Sequence, residues 1–86
     1  MKTINKIDNT AQNFVTYFGR ENQRNKAIEE LSELIRAISK NDKTNIIEEI
    51  GDSSFLIKQI MIIYNISKKD VFKTFAPKLK NMQYIF

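Results

Sequence analysis

The sequence contains no cysteine and no histidine in 86 residues. These absences exclude thiol redox chemistry, Ser-His and Cys-His nucleophile systems, and zinc centres built on either side chain. No disulfide can staple the chain, which fits a reducing compartment. The two glycines, Gly19 and Gly51, are too few for a Gly-rich phosphate loop. Long apolar runs are also missing. The richest stretch, residues 55–66, is broken by Lys58, Gln59 and Asn65 and is too short and polar to span a bilayer. Residues 1–13 are mostly polar and do not read as a signal peptide. The expected setting is cytoplasmic, with no membrane partner. The remaining tools are carboxylates, lysines, arginines, tyrosines and hydroxyls, and carboxylate oxygens suit hard cations such as Mg²⁺ and Mn²⁺.

Residues 1–86 are read as one domain. A chain this short buries only about 60–65% of its unfolded surface, so its core is thin and self-association would support it. Apolar residues recur at helical spacing, with a single proline, Pro77. The pattern predicts four helices. The first covers about residues 10–18, with Ala11, Phe14, Val15 and Phe18 on one stripe and Gly19 ending it. The second covers residues 21–39, with Ala27, Ile28, Leu31, Leu34, Ile35 and Ile38 as its apolar arc. After a polar turn at residues 40–44, Asn45 is the expected N-cap of the third, with Glu48 in a capping-box position. That helix runs to about Tyr64. Ser67, with Asp70 three residues on, is the expected N-cap of a fourth at residues 68–84, kinked or interrupted near Pro77. The predicted fold is all-α: a small four-helix bundle with a central antiparallel helix pair.

Four acids stand out within this pattern. Glu30 and Glu33 are spaced i, i+3, and so are Glu49 and Asp52. Each pair leaves one face of its helix, where like charges repel by a few tenths of a kcal/mol. At 100° per residue, Leu56, Ile60 and Ile63 fall within about 40° of Glu49, and Asp52 within about 60°. Ile50, Ile57 and Met61 fill another side of that helix and Phe55 and Ile62 a third, so it is expected to be buried all round. Its acids must then be protonated, paired or bound to a cation. On the second helix, Leu34, Ala37, Gln23 and Lys26 share the stripe of Glu30. Antiparallel packing would bring all four carboxylates together, the way helical bundles build carboxylate metal sites. Glu29 and Glu48 read as solvated neighbours. Gly51, between Glu49 and Asp52, suggests close approach by a neighbouring helix or a ligand.

Gln23, then Ala27-Ile28-Glu29-Glu30-Leu31-x-Glu33-Leu34, then Ile47-Glu48-Glu49-Ile50-Gly51-Asp52, resembles the MazG-like all-α nucleoside triphosphate pyrophosphohydrolases over roughly residues 14–80. The resemblance implies that family's helical fold and hydrolysis of a nucleoside triphosphate to monophosphate and pyrophosphate. It implies Mg²⁺, or Mn²⁺, held by Glu30, Glu33, Glu49 and Asp52 as the catalytic set. Gln23 and Lys26 become substrate-binding candidates, with Gln23 facing base or sugar. So do Lys78 and Asn81 in Lys78-Leu79-Lys80-Asn81, where Asn81 stands in place of the family's usual arginine. Family members assemble as dimers or tetramers. Two competing readings are a nucleotide-binding member without activity and a small basic regulator that binds nucleic acid or protein. The net charge of +4 and pI near 9.4 permit the regulator. The scattering of Lys40/Lys43, Lys68/Lys69 and Lys78/Lys80, with no recognition helix, argues against nucleic acid.

Overall fold

The structure, a computed structural model, describes residues 2–83. It consists of four helices: α1 (Lys2–Phe18), α2 (Arg20–Ser39), α3 (Lys43–Ile63) and α4 (Lys68–Gln83), with no strand among the described residues. The fold is all-α, as the sequence predicts.

The boundaries differ from the sequence reading in instructive ways. α1 starts well before residue 10, and Asp8 in its second turn pairs with α3, Lys58 Nζ to Asp8 Oδ1 at 2.9 Å. That ammonium holds the Asp8 carboxyl below its ordinary range. Gly19 ends α1 as expected, with φ +93, a conformation an L side chain adopts only with strain. The N-cap of α3 is Asp42 rather than Asn45: Asp42 Oδ1 accepts the Asn45 backbone N–H at 3.2 Å, so the helix begins earlier than expected. α2 and α3 end alike, on an asparagine in the left-handed region (Asn41 and Asn65, both φ 53). In each, paired bonds close a Schellman motif: Asp42 N–H to Ala37 O with Asn41 N–H to Ile38 O, and Ile66 N–H to Met61 O with Asn65 N–H to Ile62 O. Ser67 caps α4 as predicted. Its Oγ accepts the Asp70 N–H at 3.0 Å, and the Asp70 carboxylate accepts the Ser67 N–H at 2.9 Å, which lowers the Asp70 pKa. α4 runs through Pro77 without interruption. Its expected end at residue 84 lies outside the described residues.

α2 and α3 form the predicted antiparallel pair, fixed at three levels. Arg20 Nη2 donates to the Ile63 carbonyl at 2.5 Å, Gln23 Nε2 to Gln59 Oε1 at 2.8 Å, and Ser53 Oγ to the Glu30 carbonyl at 3.3 Å. α1 lies across both, chiefly on α3. The core is small: Ala11, Val15, Ala27, Ala37, Leu56 and Ile63, half of it alanine. Among the described residues α4 packs against none of the other helices, and its Val71, Phe72, Phe75, Leu79 and Met82 remain exposed. The expectation that α3 is buried all round therefore fails within one chain, since Ile47, Ile50 and Ile57 are open.

The close helix crossing falls at Ser53, 2% exposed, and not at Gly51, where an added Cβ meets nothing within 4 Å. Two opposite stability effects follow. Ser53→Leu is expected to lower stability by about 1–3 kcal/mol through overpacking. Gly51→Ala is expected to raise it by up to about 1 kcal/mol through helix propensity. Thermal unfolding of the two variants checks both signs.

Candidate metal centre and substrate cleft

The seam between α2 and α3 brings acids from both helices together. Glu30, Glu49 and Asp52 each offer one oxygen, and the three atoms lie within 4.8 Å of one another. Glu30 is 8% exposed, Glu49 is half-buried and Asp52 faces solvent. The Oε2 atoms of Glu30 and Glu49 are buried without a hydrogen-bond donor. Burial first, then a hydrogen bond to Glu30, then the charges of Glu33, Glu30 and Asp52 push the Glu49 carboxyl up to about 7. A proton on Glu49, donated to Glu30, satisfies both orphaned oxygens; so does a cation. Hard carboxylate oxygens at this spacing suit a hard divalent cation rather than a soft metal.

The other sequence candidates are distributed around this centre. Glu33 lies beside it, close enough for its charge to act on Glu49. It lines a cleft of about 170 Å³ with Arg36, Lys40, Asn45 and Glu49. Lys26 Nζ sits 3.4 Å from Glu30 and 3.6 Å from Glu29, and these carboxylates raise its pKa. Glu29 is spent on that pair at the surface, and Glu48 is exposed and outside the group, as expected of solvated neighbours. Gln23 is buried, but its amide faces Gln59. Lys78 and Asn81 are not brought to the carboxylates, because α4 does not pack on α2 or α3; Lys78 lines a separate hollow with Ile66, Asp70, Val71, Thr74 and Phe75.

Two groups escaped the sequence reading. Arg36 and Lys40 line the cleft with Glu33, and the i, i+3 and i, i+7 offsets from Glu33 were the available signal. Gln59 is fully buried and stands seven positions after Asp52, as Gln23 stands seven before Glu30. The mirrored spacing puts an amide pair two turns along the seam from the acids. That pair borders a pocket of about 320 Å³ walled by Phe14, Phe18, Phe55 and Leu56. The Phe14 and Phe55 rings meet edge to face with centroids 5.1 Å apart. A larger apolar pocket between α1 and α3, about 530 Å³ and lined by Ile7, Gly51 and Phe55 among others, borders no orphaned polar atom among the described residues.

No helix among the described residues is long and apolar enough to cross a membrane. No curated protein and no solved structure matches the chain. The family model of the MazG nucleotide pyrophosphohydrolase domain matches residues 18–83, which take in α2, α3 and α4 whole and carry every acid of the cluster, and the chain belongs to that family.

Proposed function

We propose that this chain is a Mg²⁺- or Mn²⁺-dependent pyrophosphohydrolase that cleaves a nucleoside triphosphate between its α- and β-phosphates. One water is consumed, the bridging P–O bond breaks, and monophosphate and pyrophosphate leave. One observation carries the reading: carboxylate oxygens of Glu30, Glu49 and Asp52 within 4.8 Å of one another, two of these residues holding a buried, partnerless oxygen. Glu30, Glu49 and Asp52 would hold the ion, with Glu33 beside them. When bound, the ion polarises phosphate oxygens and acidifies the attacking water. Lys26 pairs directly with Glu30, its Nζ 3.4 Å from Oε1, and so helps fix that carboxylate in place. Arg36 and Lys40 offer positive charge where the polyphosphate accumulates negative charge. The aromatic pocket two turns along the seam receives the base. Residues 1–86 act as one catalytic domain.

The same reading makes the active form a homo-oligomer, a dimer or tetramer. Ile28, Ile35 and Ile38 of α2, Ile47 and Ile50 of α3 and the apolar stripe of α4 are open in a single chain, more than an isolated small domain tolerates. α4 of a second copy is the route by which Lys78 and Asn81 would reach substrate. Sedimentation is expected to give a mass of two or four chains.

The direct test incubates the protein with a panel of nucleoside triphosphates and Mg²⁺ or Mn²⁺. Monophosphate and pyrophosphate should appear in equal amounts and vanish with chelator or in Asp52→Asn. No turnover of any nucleotide, together with no metal binding, overturns the reading.

A further inference from the structure

Gln59 combines full burial, a nitrogen without a partner and a place on the wall of a pocket. Its side chain is 0% exposed, its Oε1 accepts from Gln23 Nε2 at 2.8 Å, and its own Nε2 has no acceptor. An amide N–H buried without a partner costs roughly 1–3 kcal/mol, so the arrangement needs a compensating role. Phe14, Phe18, Phe55 and Leu56 wall the pocket it borders, and Gln23 and Lys26 complete the lining, the Lys26 ammonium being paired with Glu29 and Glu30. Phe14 and Phe18, 38% and 46% exposed, form its outer wall, while Leu56 and Gln59 are its buried end. Flat apolar walls around one unpaired donor suit a planar heterocycle that carries an acceptor on its leading edge.

The direction of entry fixes which edge leads. Gln59 lies seven residues from Asp52 and Gln23 seven from Glu30, about 10 Å along the seam. That is close to the span from the α-phosphate of a nucleotide to the far edge of its base. With the phosphates at the carboxylates, the edge opposite the glycosidic bond arrives first at Gln59. On that edge uracil, thymine, guanine and hypoxanthine carry an oxo group, and cytosine and adenine carry an amino group. Gln23 holds the Gln59 carbonyl, so the free group of Gln59 is a donor.

We propose that Gln59, oriented by Gln23, is the specificity-determining residue of this enzyme and selects nucleotides with an oxo group at pyrimidine position 4 or purine position 6. The inference rests on the pyrophosphohydrolase reading and deepens it. An oxo group accepts the Gln59 N–H. An amino group presents a second donor, so two desolvated donors face each other. Sites built around one buried hydrogen bond discriminate strongly against the analogue that cannot make it.

The experiment compares kcat/KM within matched pairs, dUTP against dCTP and dITP against dATP, with Mg²⁺. The expected result is at least about a tenfold preference for the oxo member of each pair, and its restriction to one pair identifies the ring size the pocket takes. Gln59→Met keeps the volume and removes the donor. Its folding is checked by thermal unfolding, and it is expected to bring both ratios within about threefold of unity, mainly by raising KM for the oxo substrates. Equal kcat/KM for oxo and amino members in the unmodified protein, or preference for the amino member, overturns the assignment, and neither outcome depends on a variant. Binding of the same four nucleotides in Ca²⁺ separates this failure from the other. Oxo-selective binding with no turnover in Mg²⁺ sinks the catalytic reading and leaves the Gln59 assignment standing.

Discussion

Replacing Glu49 with glutamine is expected to abolish metal-dependent pyrophosphate release while making the metal-free protein harder to unfold above neutral pH. The two effects have one origin. Glu49 sits half-buried beside Glu30, with Glu33 and Asp52 adding negative charge, and its carboxyl is pushed up to about 7. Above that pH the folded, metal-free chain holds an ionised carboxylate in a place that disfavours it. Glutamine removes the charge, and its amide N–H can donate to the orphaned Glu30 oxygen. Stability should therefore rise, seen as a higher unfolding midpoint at pH 8 in chelator. The cation loses a ligand, however. Removing even an outer-shell partner of a metal ligand costs 10–100-fold, so loss of a direct ligand should lower activity by at least about a hundredfold. Glu48→Gln, one position away and exposed, should change neither property. A Glu49→Gln protein that is less stable at pH 8 and still active would sink the metal-site assignment, because no purely structural role for this carboxylate predicts stabilisation with loss of function.

The fold was legible where one chemistry acts locally. Helical periodicity placed all four helices, and Ser67 with Asp70 was readable as a cap because the two side chains satisfy each other's backbone N–H groups. Asp42 was missed in favour of Asn45 because both are good N-cap residues three positions apart, and only the chain path decides between them. Within the early part of α1, Asp8 pairs with Lys58, fifty residues away, and no local pattern carries that pairing. Spacing on two antiparallel helices pointed to Glu30, Glu33, Glu49 and Asp52, and the family resemblance set them apart from Glu29 and Glu48; three of the four come together, while Glu33 stays beside the group because helix register, which spacing does not give, decides which oxygens meet. Gly51 misled for an equally definite reason. A helical glycine signals close packing only when its missing Cβ faces a neighbour, and the neighbour here faces Ser53. Gln59 escaped because a glutamine in an apolar helix reads as an interruption until its partner on the other helix is known. The position of α4 escaped as well, since periodicity says that a helix has an apolar face and not which molecule covers it.

The protonation of Glu49 also sets the response to pH, and here the sign opposes the usual behaviour of surface acids. Its folded-state pKa of about 7 lies above the ordinary 4.5, so between those values the folded chain binds more protons than the unfolded one. The contribution of Glu49 to the stability of the metal-free protein is then greatest below 4.5, declines as pH rises toward 7, and levels off beyond it. Asp8 and Asp70, whose carboxyls are held below their ordinary 3.8, act in the opposite sense and only below that pH, so the two effects occupy separate windows. Metal binding must displace the Glu49 proton, which couples affinity to the same titration. Apparent affinity for Mn²⁺ should fall by about tenfold for each pH unit below 7 and become nearly flat above it. Unfolding midpoints at pH 5.5, 7 and 8.5, each in chelator and in excess Mn²⁺, measure both quantities together. In chelator the midpoint should drop with rising pH. In Mn²⁺ the gain over chelator should be small at pH 5.5 and largest at 8.5. A gain that is constant across the three values would mean that no proton leaves when the metal arrives, and would remove Glu49 from the ligand set. Glu49→Gln should abolish the decline in chelator as well as the gain in Mn²⁺, since both depend on a carboxylate that the buried Glu30 and the charges beside it keep from ionising freely.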